Sequence, residues 1–109
     1  MSEEITIDDV RKLDLRAVKV KHCEKVEKSR SLLRIVVDVD GTEKQIVSSI
    51  SEYYEASELI GKTIVIVNNL KKAKFMGLES EGMLLAVEKD DFLSLLTTDR
   101  ETPSGLRVS

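Results

Sequence analysis

The stretch from Leu32 to Ile50 constrains the fold most. Leu33, Ile35, Val37 and Val39 recur at every second position, Asp40-Gly41 follows at once, and a second extended run begins at Glu43. Period two puts these four side chains on one face of a strand. Asp-Gly between two such runs is the signature of a tight hairpin, because both turn residues need positive φ. The spacing therefore predicts a strand over Leu32–Val39, a turn at Asp40-Gly41 and a third strand over Glu43–Ile50.

The flanking segments extend that sheet. Thr6-Ile7-Asp8-Asp9 carries a capping pattern for a short helix through Lys12. Asp14–Val26 reads as a long first strand, with Val18 and Val20 on one face and Lys19, Lys21, Cys23 and Lys25 on the other. Glu27–Ser31 is a polar turn. Ser51–Leu59 lacks strand character, and Ser57 is placed to cap a helical turn that ends before Gly61. Thr63–Val67 is β-branched and apolar, as a doubly buried fourth strand would be. Asn69–Glu81 reads as a long polar loop, and Gly82–Val87 as a fifth strand. A further strand over Phe92–Leu96 and a turn at Pro103-Ser104-Gly105 follow. Five strands with a helical piece between the third and fourth fit an all-β OB-fold, a five-stranded Greek-key barrel. The chain is expected to form one domain over 1–109, with an N-terminal arm and short helix over 1–13 and a C-terminal extension over 88–109.

Composition narrows the function classes. The 109 residues include 41% hydrophobic and 34% charged positions, the balance of a soluble globular protein. A single cysteine, Cys23, rules out an internal disulfide and suits a reducing, cytoplasmic setting. No apolar run is long enough to span a membrane, and the acidic MSEEITIDDV start lacks a signal-peptide pattern. One His and one Cys do not make a metal set, and His22 and Cys23, as strand neighbours, face opposite ways. No cofactor motif and no nucleophile–base arrangement is legible, so no catalytic role is expected of this chain alone.

The net charge of -3 conceals two basic blocks. Residues 11–34 carry nine Lys or Arg against three acids, and residues 62–76 carry four Lys and no acid. In the expected fold these blocks feed the loops joining the first and second strands (27–31) and the fourth and fifth (69–81). These loops, with the face of strands two and three, are where OB-folds bind oligonucleotides. Lys28 and Arg30 lie on the first loop; Lys71, Lys72 and Lys74 lie on the second. The chain has four aromatics, of which only Phe75 falls in a binding loop. That favours recognition of a folded RNA by shape and backbone over stacking along an extended strand.

Several motifs then stand in order along the chain: Asp14-Leu15-Arg16, Gln45-Ile46-Val47-Ser48, Tyr53-Tyr54, Glu58-Leu59-Ile60-Gly61-Lys62, Asn69-Leu70-Lys71, and Lys74-Phe75-Met76-Gly77-Leu78-Glu79-Ser80-Glu81-Gly82-Met83. With these the chain resembles the tRNA-binding domain at the C-terminus of methionyl-tRNA synthetases, also found as free-standing β subunits and in EMAP II-like proteins. The resemblance covers residues 10 to 108. It implies a homodimer that binds tRNA and lends affinity to a partner synthetase. It also implies RNA-groove positions at Ser80 and Met83, loop lysines at Lys71 and Lys74, and the preceding Asn69. Lys72 stands where the family often has Pro and adds charge. Ser31 stands where the family often has Lys, leaving Lys28 or Arg30 to supply that contact. On the residues alone, Ser80 bonds a phosphate or closes a turn, Met83 fills a core, and Arg16 contacts RNA or pairs with Asp14 or with an acid across the barrel.

Three functions compete. One is a tRNA-binding accessory protein, the free-standing β subunit of methionyl-tRNA synthetase. The second is a protein-interaction module that docks synthetases. The third is a generic single-stranded nucleic-acid binder. The tail residues Phe92, Leu93, Leu95 and Leu96 exceed what a five-stranded barrel needs, so they cover a barrel end or meet a twin subunit.

Overall fold

The computed structural model describes residues 3–109; the first two positions of the expected 1–13 arm lie outside the described residues. In chain order the elements are α1 (Ile7–Arg11), β1 (Leu15–Lys25), β2 (Leu33–Val39), β3 (Thr42–Ser48), α2 (Ala56–Leu59), β4 (Thr63–Val67), β5 (Ala73–Phe75), β6 (Leu78–Ser80), β7 (Met83–Leu84), β8 (Ala86–Lys89), β9 (Phe92–Leu95) and β10 (Leu106–Arg107). The principal sheet runs β3-β2-β1-β4-β7, all antiparallel, with β10 added to β1. It curls into the expected OB-like barrel.

β1 is long enough to serve two partners. Leu15–Lys19 pairs with β4 and Lys19–Lys25 pairs with β2. The ladder shifts between Val20 and His22, a bulge that takes Lys21 out of register. An extra residue reverses the alternation beyond it. Cys23 is therefore buried with Val18 and Val20 rather than exposed beside the lysines, a correction to the strict period-two reading. Burial raises its thiol pKa to about 11.

The Asp40-Gly41 hairpin forms as expected, with φ of 51° and 91°, and Asp38 Oδ1 accepts the Gly41 N–H at 2.8 Å. Leu33, Ile35 and Val37 point into the core, where they meet Ile46, Leu59, Ile64 and Ile66. Each such fully buried side chain contributes about 1.5–3 kcal/mol. β4 is buried on both faces from Ile64 to Val67. α1 begins with a capping box: Thr6 Oγ1 accepts the Asp9 N–H at 3.2 Å and Asp9 Oδ2 accepts the Thr6 N–H at 3.1 Å. α2 starts at Ala56, one residue before Ser57, and its N-cap is Glu55, whose N–H is taken by Glu58 Oε1 at 2.8 Å. Ser57 is thus inside the turn and not its cap.

Two expectations in the second half change. The 69–81 segment is not an open loop: β5 and β6 pair as a hairpin about Met76-Gly77, with φ of 54° and 80°. The expected fifth strand divides at Leu85 into β7, which stays on β4, and β8, which leaves the barrel to pair with β9. In the tail, Leu93 and Leu95 pack on the core, while Phe92 and Leu96 remain exposed. β10 fills the edge of β1 that β2 does not reach. Ser104 Oγ accepts the Lys19 N–H at 2.7 Å and donates to the Asp38 carbonyl, filling the gap between β1 and β2.

Candidate nucleic-acid interface

The free edge of β3 has no full strand beside it. Its donors are met by the bend between β6 and β7. Glu81 N–H donates to the Gln45 carbonyl at 2.8 Å, Gln45 N–H donates to Glu81 Oε1 at 2.9 Å, and Val47 N–H donates to Ser80 Oγ at 3.0 Å. Ser80 Oγ donates in turn to the Gly82 carbonyl at 2.9 Å. Ser80 is 4% exposed, so both hydrogen-bonding roles of its hydroxyl lie inside the protein. These bonds hold the β6–β7 bend, and with it the β5–β6 hairpin, against the free edge of β3.

The hairpin separates two recesses. Lys28, Ser29, Arg34 and Leu78 line one, together with Glu24 and Glu27. Lys71, Ala73, Phe75 and Met83 line the other, over Val47, Ser80 and Gly82. Lys28 reaches the first through a left-handed backbone, φ 69°. Arg30 lines neither recess; its carbonyl accepts the Ser51 hydroxyl at 2.9 Å. Alternation along β5 turns Lys74 away from Ala73 and Phe75, and its cross-strand partner is Glu79. Lys72 Nζ lies 3.7 Å from the same Glu79 carboxylate. The three loop lysines are therefore split, with Lys71 at the recess and Lys72 and Lys74 on the opposite side of the hairpin.

Asn69 is tied into the scaffold. Its Oδ1 accepts the Asp14 N–H at 2.9 Å and its Nδ2 donates to the Lys12 carbonyl at 2.7 Å. Asp14 anchors this end of the barrel. It accepts Asn68 Nδ2 at 2.9 Å and Arg16 Nε at 2.7 Å, and the Asn68 bond first, then Arg16, hold its carboxyl below the ordinary 3.8. Arg16 Nη1 also donates to the Gly105 carbonyl at 3.0 Å, so Arg16 joins β1 to the tail.

Arg34 lines the first recess beside Lys28, a position that the basic blocks alone do not mark. Its Nε donates to Gln45 Oε1 at 2.6 Å, Gln45 Nε2 donates to the Glu79 carbonyl at 2.8 Å, and Arg34 Nη1 reaches Glu24 at 3.2 Å. This ladder crosses β1, β2, β3 and β6. The signal was an Arg at an outward position of a strand whose alternate residues are all apolar. His22 pairs outward with Glu24 at 3.0 Å.

A family model described as "Putative tRNA binding domain" matches residues 15–107. The chain belongs to the tRNA-binding domain family. It is 54% identical over 105 residues to a methionine–tRNA ligase of Thermotoga maritima, covering 96% of this chain and 17% of the relative. It is 50% identical over 106 residues to the ligase of Archaeoglobus fulgidus, covering 97% of this chain and 16% of that one. The chain thus spans about a sixth of the length of these curated relatives, and it is homologous to their C-terminal tRNA-binding domain. Among solved structures, a MetRS-related protein from Pyrococcus horikoshii superposes with a TM-score of 0.92 at 35% identity, covering 99% of this chain and 100% of that one. The chaperone CsaA of Bacillus anthracis superposes with a TM-score of 0.87 at 29% identity, covering 98% and 100%.

Proposed function

We propose that this tRNA-binding domain is a non-catalytic accessory module that binds tRNA by shape and backbone charge and lends that affinity to a methionyl-tRNA synthetase, as its free-standing β subunit. The observation that carries the reading is the family match over 15–107 together with cations on both sides of the hairpin that crosses the OB binding face. Lys28 and Arg34 line one recess and Lys71 the other. Lys72, Lys74 and Arg30 add charge around them. Such cations attract phosphates and release counterions on binding, without reading sequence. Met83 supplies an exposed wall of the second recess. Ser80 and Asn69 serve the interface by fixing the hairpin and its entry.

The module acts as a homodimer in the cytoplasm. Ile7, Val10 and Leu13 beside α1 and Leu106 and Val108 beside β10 leave an exposed apolar surface, and Ile7, Val10, Leu13 and Val108 border one shared hollow. A second copy covers such a surface by an isologous contact. Of the two roles left open for Phe92, Leu93, Leu95 and Leu96, Leu93 and Leu95 take the first, since they pack on the core, so the contact with a second copy is placed at α1 and β10 instead.

The test is a titration of bulk tRNA against single-stranded DNA at two salt concentrations. The proposal expects salt-sensitive binding that favours tRNA. Preference for the DNA supports a generic single-strand binder. Absence of RNA binding, with a nuclease-resistant complex with the catalytic chain of methionyl-tRNA synthetase, supports the docking module.

A further inference from the structure

We infer that Phe75 is a stacking platform for one unpaired nucleobase of the bound RNA, with Met83 as the facing wall and Lys71 as the adjoining phosphate contact. This rests on the RNA-binding reading above and adds a contact to bases that charge and shape alone do not supply. Phe75 is the last residue of β5, directly before the Met76-Gly77 turn, and the residue is 44% exposed. Ala73 and Phe75 share the hairpin face that looks onto Val47, Ser80 and Gly82. The recess between them and Met83 is about 110 Å³. It is a slot for a flat ring rather than a groove for a helix. Gly82 seats the bend beneath the recess tightly on the barrel: a Cβ there would meet the Val67 carbonyl oxygen at 2.8 Å and Ile46 Cδ1 at 3.0 Å.

The other aromatics lack this setting: Tyr53 lines neither recess. The Tyr54 ring packs against the core, its hydroxyl accepts the Leu95 N–H at 3.1 Å, and Lys62 Nζ stands 5.6 Å above its centre. Phe92 is exposed, but Glu88, Asp90 and Asp91 lie on its own hairpin and repel phosphate. Phe75 alone of these joins an open ring face to a cation and a polarizable thioether. A base in a duplex has both faces covered by its neighbours, so the slot selects a base that is already unstacked, as in a loop or bulge. The thioether of Met83 makes a favourable contact with an aromatic ring.

The chain contains no Trp, so Phe75→Trp places a single reporter at the slot. Bulk tRNA is expected to quench its emission, and a fully paired blunt RNA duplex is expected to leave it unchanged. Phe75→Ala and Phe75→Leu are expected to weaken tRNA binding by about 5- to 100-fold with an unaltered salt slope, since no charge is removed. Thermal unfolding midpoints of the variants keep a folding defect apart from a binding one. Binding of Phe75→Leu within twofold of the parent, or tRNA and duplex acting alike on the Trp reporter, overturns the inference. If the parent itself shows no salt-sensitive tRNA binding, both this inference and the proposed function fall. If the parent binds and Phe75 is silent, only this inference falls.

Discussion

Ser80 Oγ lies 3.0 Å from the Val47 amide nitrogen and joins the β6–β7 bend to β3 where no main-chain ladder runs. The motif position that resemblance connects with the RNA groove thus closes the barrel beneath that groove. Ser80→Ala leaves the buried Val47 N–H without an acceptor, a change that costs about 1–3 kcal/mol. Urea unfolding is expected to show that loss, with any fall in tRNA affinity accompanying it. Lost affinity at unchanged stability would indicate a direct contact instead.

The lysines at the hairpin are expected to act on the salt dependence of binding. Each phosphate contact contributes about 0.7–0.9 to the slope of log K against log salt. Replacing Lys71, Lys72 and Lys74 together by Ala is expected to flatten that slope by about two to three units. A titration series across salt concentrations reads it directly. Because Lys72 faces Glu79 at 3.7 Å, Lys72→Ala alone is expected to have a smaller effect than Lys71→Ala.

Asp14, whose carboxylate ties β1 to Asn68 and Arg16, is expected to contribute to acid sensitivity. Its folded pKa is lowered from 3.8, chiefly by the Asn68 hydrogen bond and then by Arg16. A depressed carboxylate contributes stability that is complete above the unfolded pKa and is lost as pH falls through the folded one. Asp14→Asn is therefore expected to flatten the stability curve below about pH 4. Urea midpoints from neutral pH down through that range test the sign.

Gly105 has φ 100°, and a Cβ there would stand 2.3 Å from the Asp40 amide nitrogen. Backbone strain of this kind costs about 1–3 kcal/mol, and the clash falls on backbone that cannot rotate away. Gly105→Ala is expected to lower the thermal midpoint and to loosen β10 from β1. Amide exchange at the Gly105 and Val108 N–H groups, which bond Ala17 and Leu15 at 2.8 Å, measures the second effect.

Self-association is expected to depend on the surface between α1 and β10. Val10→Asp or Leu106→Asp should reduce the mass measured by light scattering from twice 12.2 kDa to 12.2 kDa. Phe92→Ser should leave it unchanged. The reverse pattern would move the contact to the β8–β9 hairpin.

The barrel strands were legible because their signals are local. Leu33, Ile35 and Val37 alternate without interruption, and Asp40-Gly41 accepts positive φ. The β5–β6 hairpin was not, because Lys71, Lys72 and Lys74 give it the composition of a loop. Its pairing depends on the Met76-Gly77 turn and on contact with β3. Phe75 was legible as the aromatic of the binding segment, whereas Arg34 acquires meaning only beside Gln45 and Glu24.

Periodicity, charge and motifs along the chain carry the first four barrel strands, the two basic blocks and the family, since each of these is written in neighbouring residues. Tertiary structure decided which way Cys23 faces, that Lys71 separates from Lys72 and Lys74, and that Ser80 and Asn69 bond the scaffold. Each of these depends on a bulge, a cross-strand register or a hydrogen bond between residues far apart in sequence. Such pairings arise only when the sheet curls and brings distant edges within bonding distance.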